Sequence, residues 1–228
     1  MKHTLHVVCL LLLAVGFASC GGDDDSYDTI SRKLTLRMSE TYPLKVGAYS
    51  SAASSDNFVA VVDRGEIVPQ HVGQTTVDVV GKDARYVYKL TVLPTRTPFH
   101  DLGEYLFLTK KEIEKADALG SSIGSDGSDV LYQPKYGEQR IAVRYSSDGK
   151  VIIAMLTVDG RIEDELTGQL EEYYQYIRTD DAYRLYANAL SEQDATVLVL
   201  RKAVGSVEQI VYITPELYGI LNDLLPAF

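Results

Sequence analysis

The fold turns on one stretch: Ser54-Ser55-Asp56-Asn57-Phe58-Val59-Ala60-Val61-Val62-Asp63-Arg64-Gly65-Glu66-Ile67-Val68. Residues 58–62 read as a strand, Asp63-Arg64-Gly65 as a turn, and Glu66-Ile67-Val68 as the strand leading out of it. The pattern extends in both directions. Upstream, Leu34, Leu36 and Met38 alternate with Thr35 and Arg37, the period of a half-buried strand. Residues 42–47 give a second short strand ending at Gly47. Downstream, 77–80 is a further strand, and 86–92 alternates again until Pro94 closes it. Short, closely spaced strands with Gly and Asp turns predict an all-β sandwich over residues 32–94. A unit of that size needs a tightly packed inner face or support from a neighbour.

The order of segments carries a resemblance. Val46-Gly47 precedes a polar run and then the stretch quoted above. His71-Val72-Gly73-Gln74-Thr75-Thr76-Val77-Asp78-Val79 and Tyr88-Lys89-Leu90-Thr91-Val92 follow. Residues 34–93 thus resemble the group 2 bacterial immunoglobulin-like domain, a spacer and adhesion module. The resemblance implies a β-sandwich that holds other domains off a membrane. It brings no set of binding residues, because what is shared is turn glycines and core aliphatics. His71 has no histidine or cysteine beside it in sequence to build a ligand cluster, and reads as a turn or surface residue.

The start of the chain carries a different message. Met1-Lys2-His3 is a short basic region, and 5–18 is an apolar core centred on Leu10-Leu11-Leu12-Leu13. That core is too short for a permanent span and reads as a signal peptide over residues 1–20. Its exit, Phe17-Ala18-Ser19-Cys20, resembles the lipobox of bacterial lipoproteins. The resemblance implies that Cys20 is lipidated and becomes the first residue after cleavage, so that the chain meets a membrane through its lipid anchor. Gly21-Gly22-Asp23-Asp24-Asp25 resembles the export signal of surface lipoproteins in Bacteroides-like bacteria. An outer-membrane lipoprotein on the cell surface, or otherwise on the periplasmic face, is the implied location. Two or three acyl chains anchor stably where one is marginal. Residues 21–31, acidic and poor in aliphatics, read as a tether.

Pro94-Thr95-Arg96-Thr97-Pro98 reads as an interdomain joint, since two prolines favour extended backbone. Residues 99–228 then form a second domain. Thr109 caps a short helix with Ile113 and Ala116 on its apolar side, stopped by Gly120. Residues 121–129 read as a flexible polar loop. Strands follow at 130–133, 140–145 and 151–158, with Ser147-Asp148-Gly149-Lys150 as a hairpin turn. Residues 162–177 show helical spacing in Ile162, Leu166, Leu170, Tyr173 or Tyr174, and Ile177. Strands at 183–187, 196–200 and 207–213 complete the sequence, and 217–228 is a terminal helix or packed extension. The connections are short, so the strands should be antiparallel neighbours. The expected class is α+β: a mainly antiparallel sheet with one or two covering helices. The tandem helix-and-strands order leaves an internal duplication open. Residues 100–214 also loosely resemble uncharacterised domains of small lipoproteins from Bacteroides-like bacteria, through Leu170-Glu171-Glu172-Tyr173-Tyr174 and Tyr186-Ala187-Asn188-Ala189. No activity comes with that resemblance.

The 228 residues carry a net charge of -10, which argues against nucleic acid as a partner. The two cysteines, Cys9 and Cys20, both lie in the leader, so the rest has no thiol nucleophile and no internal disulfide. No Gly-x-Ser-x-Gly elbow, phosphate loop or dinucleotide fingerprint occurs, and no cofactor is expected. The Asp126-Gly127-Ser128-Asp129 cluster has too few ligands for calcium. Glu163-Asp164-Glu165 and Glu171-Glu172 read as a solvated helix face. Sixteen tyrosines and no tryptophan are the unusual feature, and Tyr136 and Tyr176 are the candidate interaction surface. The expectation is a non-catalytic, membrane-anchored lipoprotein presenting a binding domain on a spacer, for a protein, peptide or glycan. A structural envelope or pilus-assembly component is the alternative. A glycan-processing enzyme would need two carboxylates held across a cleft.

Overall fold

The computed structural model describes residues 28–97, 99–116, 119–126, 128–180 and 183–221. The signal peptide, Cys20 and most of the tether lie outside the described residues.

The chain makes a mostly antiparallel β-region followed by an α+β domain. In the first, β1 (Asp28–Arg37), β7 (Ala84–Leu93), β6 (Gly73–Gly81) and β3 (Tyr49–Ser54) form one sheet in that order. β1 runs parallel to β7, and the other pairs are antiparallel. A second sheet holds β2 (Tyr42–Pro43), β5 (Glu66–Pro69) and β4 (Ala60–Asp63). Inward residues of both sheets meet in one core: Leu36, Val77, Val79, Tyr88 and Leu90 from the first, Ala60 and Ile67 from the second. The β4–β5 hairpin closes through Arg64 and Gly65, both at positive φ (48° and 82°), as a two-residue type I′ turn requires.

Three expectations need correction here. Asp28-Thr29-Ile30-Ser31 is not tether but the start of β1, held along its length by the β7 ladder. Residues 49–54, part of a run that looked merely polar, pair with β6 as an edge strand. His71 is buried, not a surface residue. Its ring stacks on Phe58 at 4.0 Å and its Nδ1 lies 2.8 Å from the Phe58 carbonyl. Burial pushes its pKa below the ordinary histidine value.

The second domain is built on one eight-stranded antiparallel sheet. After a single 3-10 turn (Gly103–Tyr105) and α1 (Lys110–Ala116) come β8 (Ser122–Asp126), β9 (Asp129–Tyr132), β10 (Glu138–Tyr145) and β11 (Val151–Asp159). Then α2 (Glu163–Tyr173) precedes β12 (Gln175–Thr179), β13 (Arg184–Ala187), β14 (Leu198–Val204) and β15 (Val207–Ile213). The sheet order is β12-β13-β14-β15-β11-β10-β9-β8. Two four-strand meanders, each led by a helix, therefore meet at the β11–β15 pair with mirrored strand order. Ile113, Leu166 and Leu170 from the helices pack on Ile141, Leu156, Val199 and Ile210 of one sheet face. α3 (Pro215–Leu221) places Tyr218 on the other face, over a cluster that includes Leu185, Leu198 and Ile213.

Each set has four strands where three were expected. Residues 122–126 form β8, hairpin-paired with β9, and are not a flexible loop. Asp126 and Asp129 are engaged by Arg140 (2.8 Å) and Arg144 (2.6 Å). The helix expected over 162–177 ends at Tyr173, and 175–179 is edge strand β12.

Candidate functional site

One segment joins the two domains, and its residues 95, 96 and 99–101 are each hydrogen-bonded to the second. The anchors come from the last two turns of α2 and from the start of β10.

At the joint, the Glu172 carboxylate accepts the backbone N–H of Thr95 (2.8 Å) and of Arg96 (3.2 Å), and the Thr95 hydroxyl as well. The Glu172 carbonyl, near the C-terminus of α2 and without an intrahelical partner, accepts the Val72 N–H of the first domain at 2.7 Å. The Arg96 side chain lies over Gly168, where any Cβ would collide with the guanidinium. Glu172 was expected on a solvated face; it is the staple between the domains. Further along, the buried Gln169 amide reads the Phe99 backbone, donating to its carbonyl at 2.9 Å and accepting its N–H at 3.4 Å.

Next come two carboxyl groups in different environments. The Glu138 side chain is 0% exposed. It accepts the His100 N–H at 2.6 Å, His100 Nδ1 at 2.9 Å and the Tyr136 N–H at 2.9 Å. A carboxylate only accepts, so Nδ1 carries the hydrogen in this pair. Burial works against the Glu138 charge. The bonds from His100 and Tyr136 outweigh it and hold the group below the usual carboxylate range. Asp101 goes the other way: burial pushes it up to about 6, against the pull of the Tyr174 hydroxyl at 2.7 Å and the Gly103 N–H at 3.2 Å. The Tyr212 hydroxyl is buried beside it, short of hydrogen-bonding geometry. Gly103 is required, because a Cβ there would sit inside the Tyr174 hydroxyl.

Above this layer stands Tyr136, 63% exposed, in the β9–β10 connection. Its ring meets His100 edge-on at 4.6 Å between centroids. Ring and backbone are thus both held by the His100–Glu138 pair. Tyr176 is also exposed, at 43%, but from strand β12 rather than from a helix. Its ring abuts Tyr186 at 5.7 Å and its hydroxyl pairs with Thr179 at 2.8 Å. Five strand steps separate β12 from β10, about 24 Å at ~4.8 Å per step. The two tyrosines do not form one patch.

The acidic start of α2 is not simply solvated either. Glu163 reaches Arg201 (3.2 Å) and Arg184 (3.5 Å). Arg201, with a side chain 2% exposed, also donates to Glu208 at 3.0 Å and to the Thr167 hydroxyl at 2.6 Å. Among the described residues no group of three or more His, Cys, Asp or Glu could hold a metal ion, and no helix is long and apolar enough to cross a membrane.

Sequence reasoning did not single out Gln169, Glu138, Asp101 or His100 as a set. Gln169 reads as one of the polar residues of the helix, yet its spacing, three from Leu166 and four from Tyr173, puts it beside the apolar stripe, an odd place for an amide unless it is bonded. No protein-family model matches the chain, and no curated protein matches it.

Proposed function

We propose that this chain is a membrane-anchored, non-catalytic surface lipoprotein in which an immunoglobulin-like spacer presents an α+β interaction domain. The observation that carries the reading is the way Tyr136 is held. An exposed aromatic ring fixed at both ring and backbone loses little entropy on binding, which is what a binding hot spot needs. The partner fits a flat aromatic contact with a polar rim, as a protein, peptide or glycan does. Two sheets that share one core, and the resemblance of residues 34–93, support the spacer reading. The lipobox-like Phe17-Ala18-Ser19-Cys20 supports the anchor, with Cys20 as the lipidated residue.

Two measurements test it. Cells expressing the chain are labelled with radioactive palmitate; the expected result is label on the wild type and none on Cys20→Ala. The full-length protein is then screened in detergent on glycan and peptide arrays beside Tyr136→Ser. Binding that drops tenfold or more in the variant supports the reading. Binding equal in both removes Tyr136 from it.

A further inference from the structure

The outer face of the first sheet carries a feature that the display reading does not use. Lys33 of β1 and Lys89 of β7 stand directly opposite each other in the parallel register, both exposed. Like charges in that position destabilise a sheet. Among the described residues, neither lysine has an ion-pair partner. Asp78 of β6, two residues along from Thr76, is held by the Arg85 guanidinium. Around the pair, Thr35 and Thr91 follow on the same two strands, and Thr76 and Gln74 of β6 lie beside Lys89 and Thr91. These side chains, with Ser55, line a groove of about 550 Å³.

The charge of the whole chain sharpens the point. From the start of β1, residues 28–98 hold nine Lys and Arg against seven Asp and Glu, a net +2, while residues 99–228 hold twelve against twenty-two, a net -10. An anion is thus drawn to the first domain and turned away from the second.

We propose that this groove is a binding site for an acidic polysaccharide, one bearing carboxylate or sulfate groups. The adjacent ammonium groups would share one such anion, which relieves their repulsion. The Thr35, Thr76 and Thr91 hydroxyls and the Gln74 amide supply the paired donors and acceptors that sugar hydroxyls need, while the Ser55 hydroxyl is taken up by Thr75 Oγ1 and the Thr76 N–H. A nucleic acid phosphate backbone would use the lysines but not that interleaved hydroxyl set. The site lies on the spacer and stands apart from Tyr136.

The test is affinity electrophoresis of the full-length protein in detergent, through gels containing polygalacturonate, chondroitin sulfate, neutral dextran or single-stranded DNA. Retardation by at least one acidic polysaccharide is expected, weaker at 200 mM than at 50 mM salt, with none by dextran. Lys33→Gln/Lys89→Gln should weaken it at least tenfold. Lys110→Gln/Lys111→Gln removes the same charge from the second domain and should leave it unchanged. A thermal midpoint for the Lys33/Lys89 variant at or above that of the wild type shows that the sheet is intact. No retardation by either acidic polysaccharide, equal loss in the two variants, or equal retardation by DNA overturns the proposal.

Discussion

Asp101 sits where its charged form is disfavoured. Burial raises it from about 3.8 to about 6, and the Tyr174 and Gly103 hydrogen bonds reduce that shift without cancelling it. A carboxyl whose folded pKa lies above its unfolded pKa contributes stability that is fully present below the unfolded value. That contribution is lost as pH rises through the folded value. The window for this group is therefore about pH 4 to 6. Asp101→Asn keeps an oxygen for Tyr174 and Gly103 and cannot ionise. Relative to wild type, the variant should gain roughly 1 to 2 kcal/mol at pH 7, a shift of two units discounted for partial exposure. The gain should vanish near pH 4. Urea unfolding at the two pH values measures it; a difference independent of pH would show that Asp101 is not the titrating group. Glu138 has the opposite sign, since its bonds from His100 and Tyr136 hold its pKa down. Neither behaviour was legible in the sequence. Asp101 depends on Tyr174, just past the end of α2 and 73 residues away, and Glu138 at the start of β10 depends on His100, 38 residues away.

At the scale of elements, the sequence was clearest where one local rule acted alone. The β4–β5 hairpin followed from an Arg-Gly turn between apolar runs, and the β10–β11 hairpin from Asp148-Gly149, with Gly149 at φ 80°. The reading failed where two rules competed. Tyr173, Tyr174 and Ile177 continue the helical spacing of Leu166 and Leu170, so the expected helix runs four residues past its true C-terminal end. The cluster Tyr174-Gln175-Tyr176-Ile177 is also good strand sequence, and pairing with β13 decided for the strand. β8 was missed because Ser122-Ile123-Gly124-Ser125 has no alternation and is exposed throughout. It is held by its ladder to β9 and not by burial. α2 itself carries a conflict between helix propensity and packing. Gly168 lies in its interior, where glycine costs about 1 kcal/mol relative to alanine, yet it gives the Arg96 side chain room to lie down. Gly168→Ala should stabilise the second domain by up to about 1 kcal/mol and push the guanidinium off the helix. Limited trypsin digestion reads the second effect as faster cleavage after Arg96. Unchanged cleavage would mean that the arginine does not depend on the missing Cβ.

For the whole molecule, the seam between the domains rests, among the described residues, on few hydrogen bonds of its own. The Glu172 side chain binds Thr95 and Arg96, and its carbonyl binds Val72. The sequence marked the joint through Pro94 and Pro98, but the glutamate that binds its backbone is one that helical position assigned to a solvated face. The first domain is small for a self-sufficient core, so a fixed neighbour matters to it. Glu172→Ala removes the side-chain contacts, keeps the carbonyl, and favours the helix in which it sits. The second domain should therefore keep its own midpoint, while the first loses the support of the docked joint. Scanning calorimetry should show the wild type unfolding in one transition or in two closely overlapping ones. In the variant the first-domain transition should move several degrees lower and separate, since about 1 kcal/mol shifts a domain of this size by about 4 to 8 °C. If the endotherm is unchanged, the domains are coupled through the Val72–Glu172 backbone bond and packing alone, and the carboxylate contributes nothing to their alignment.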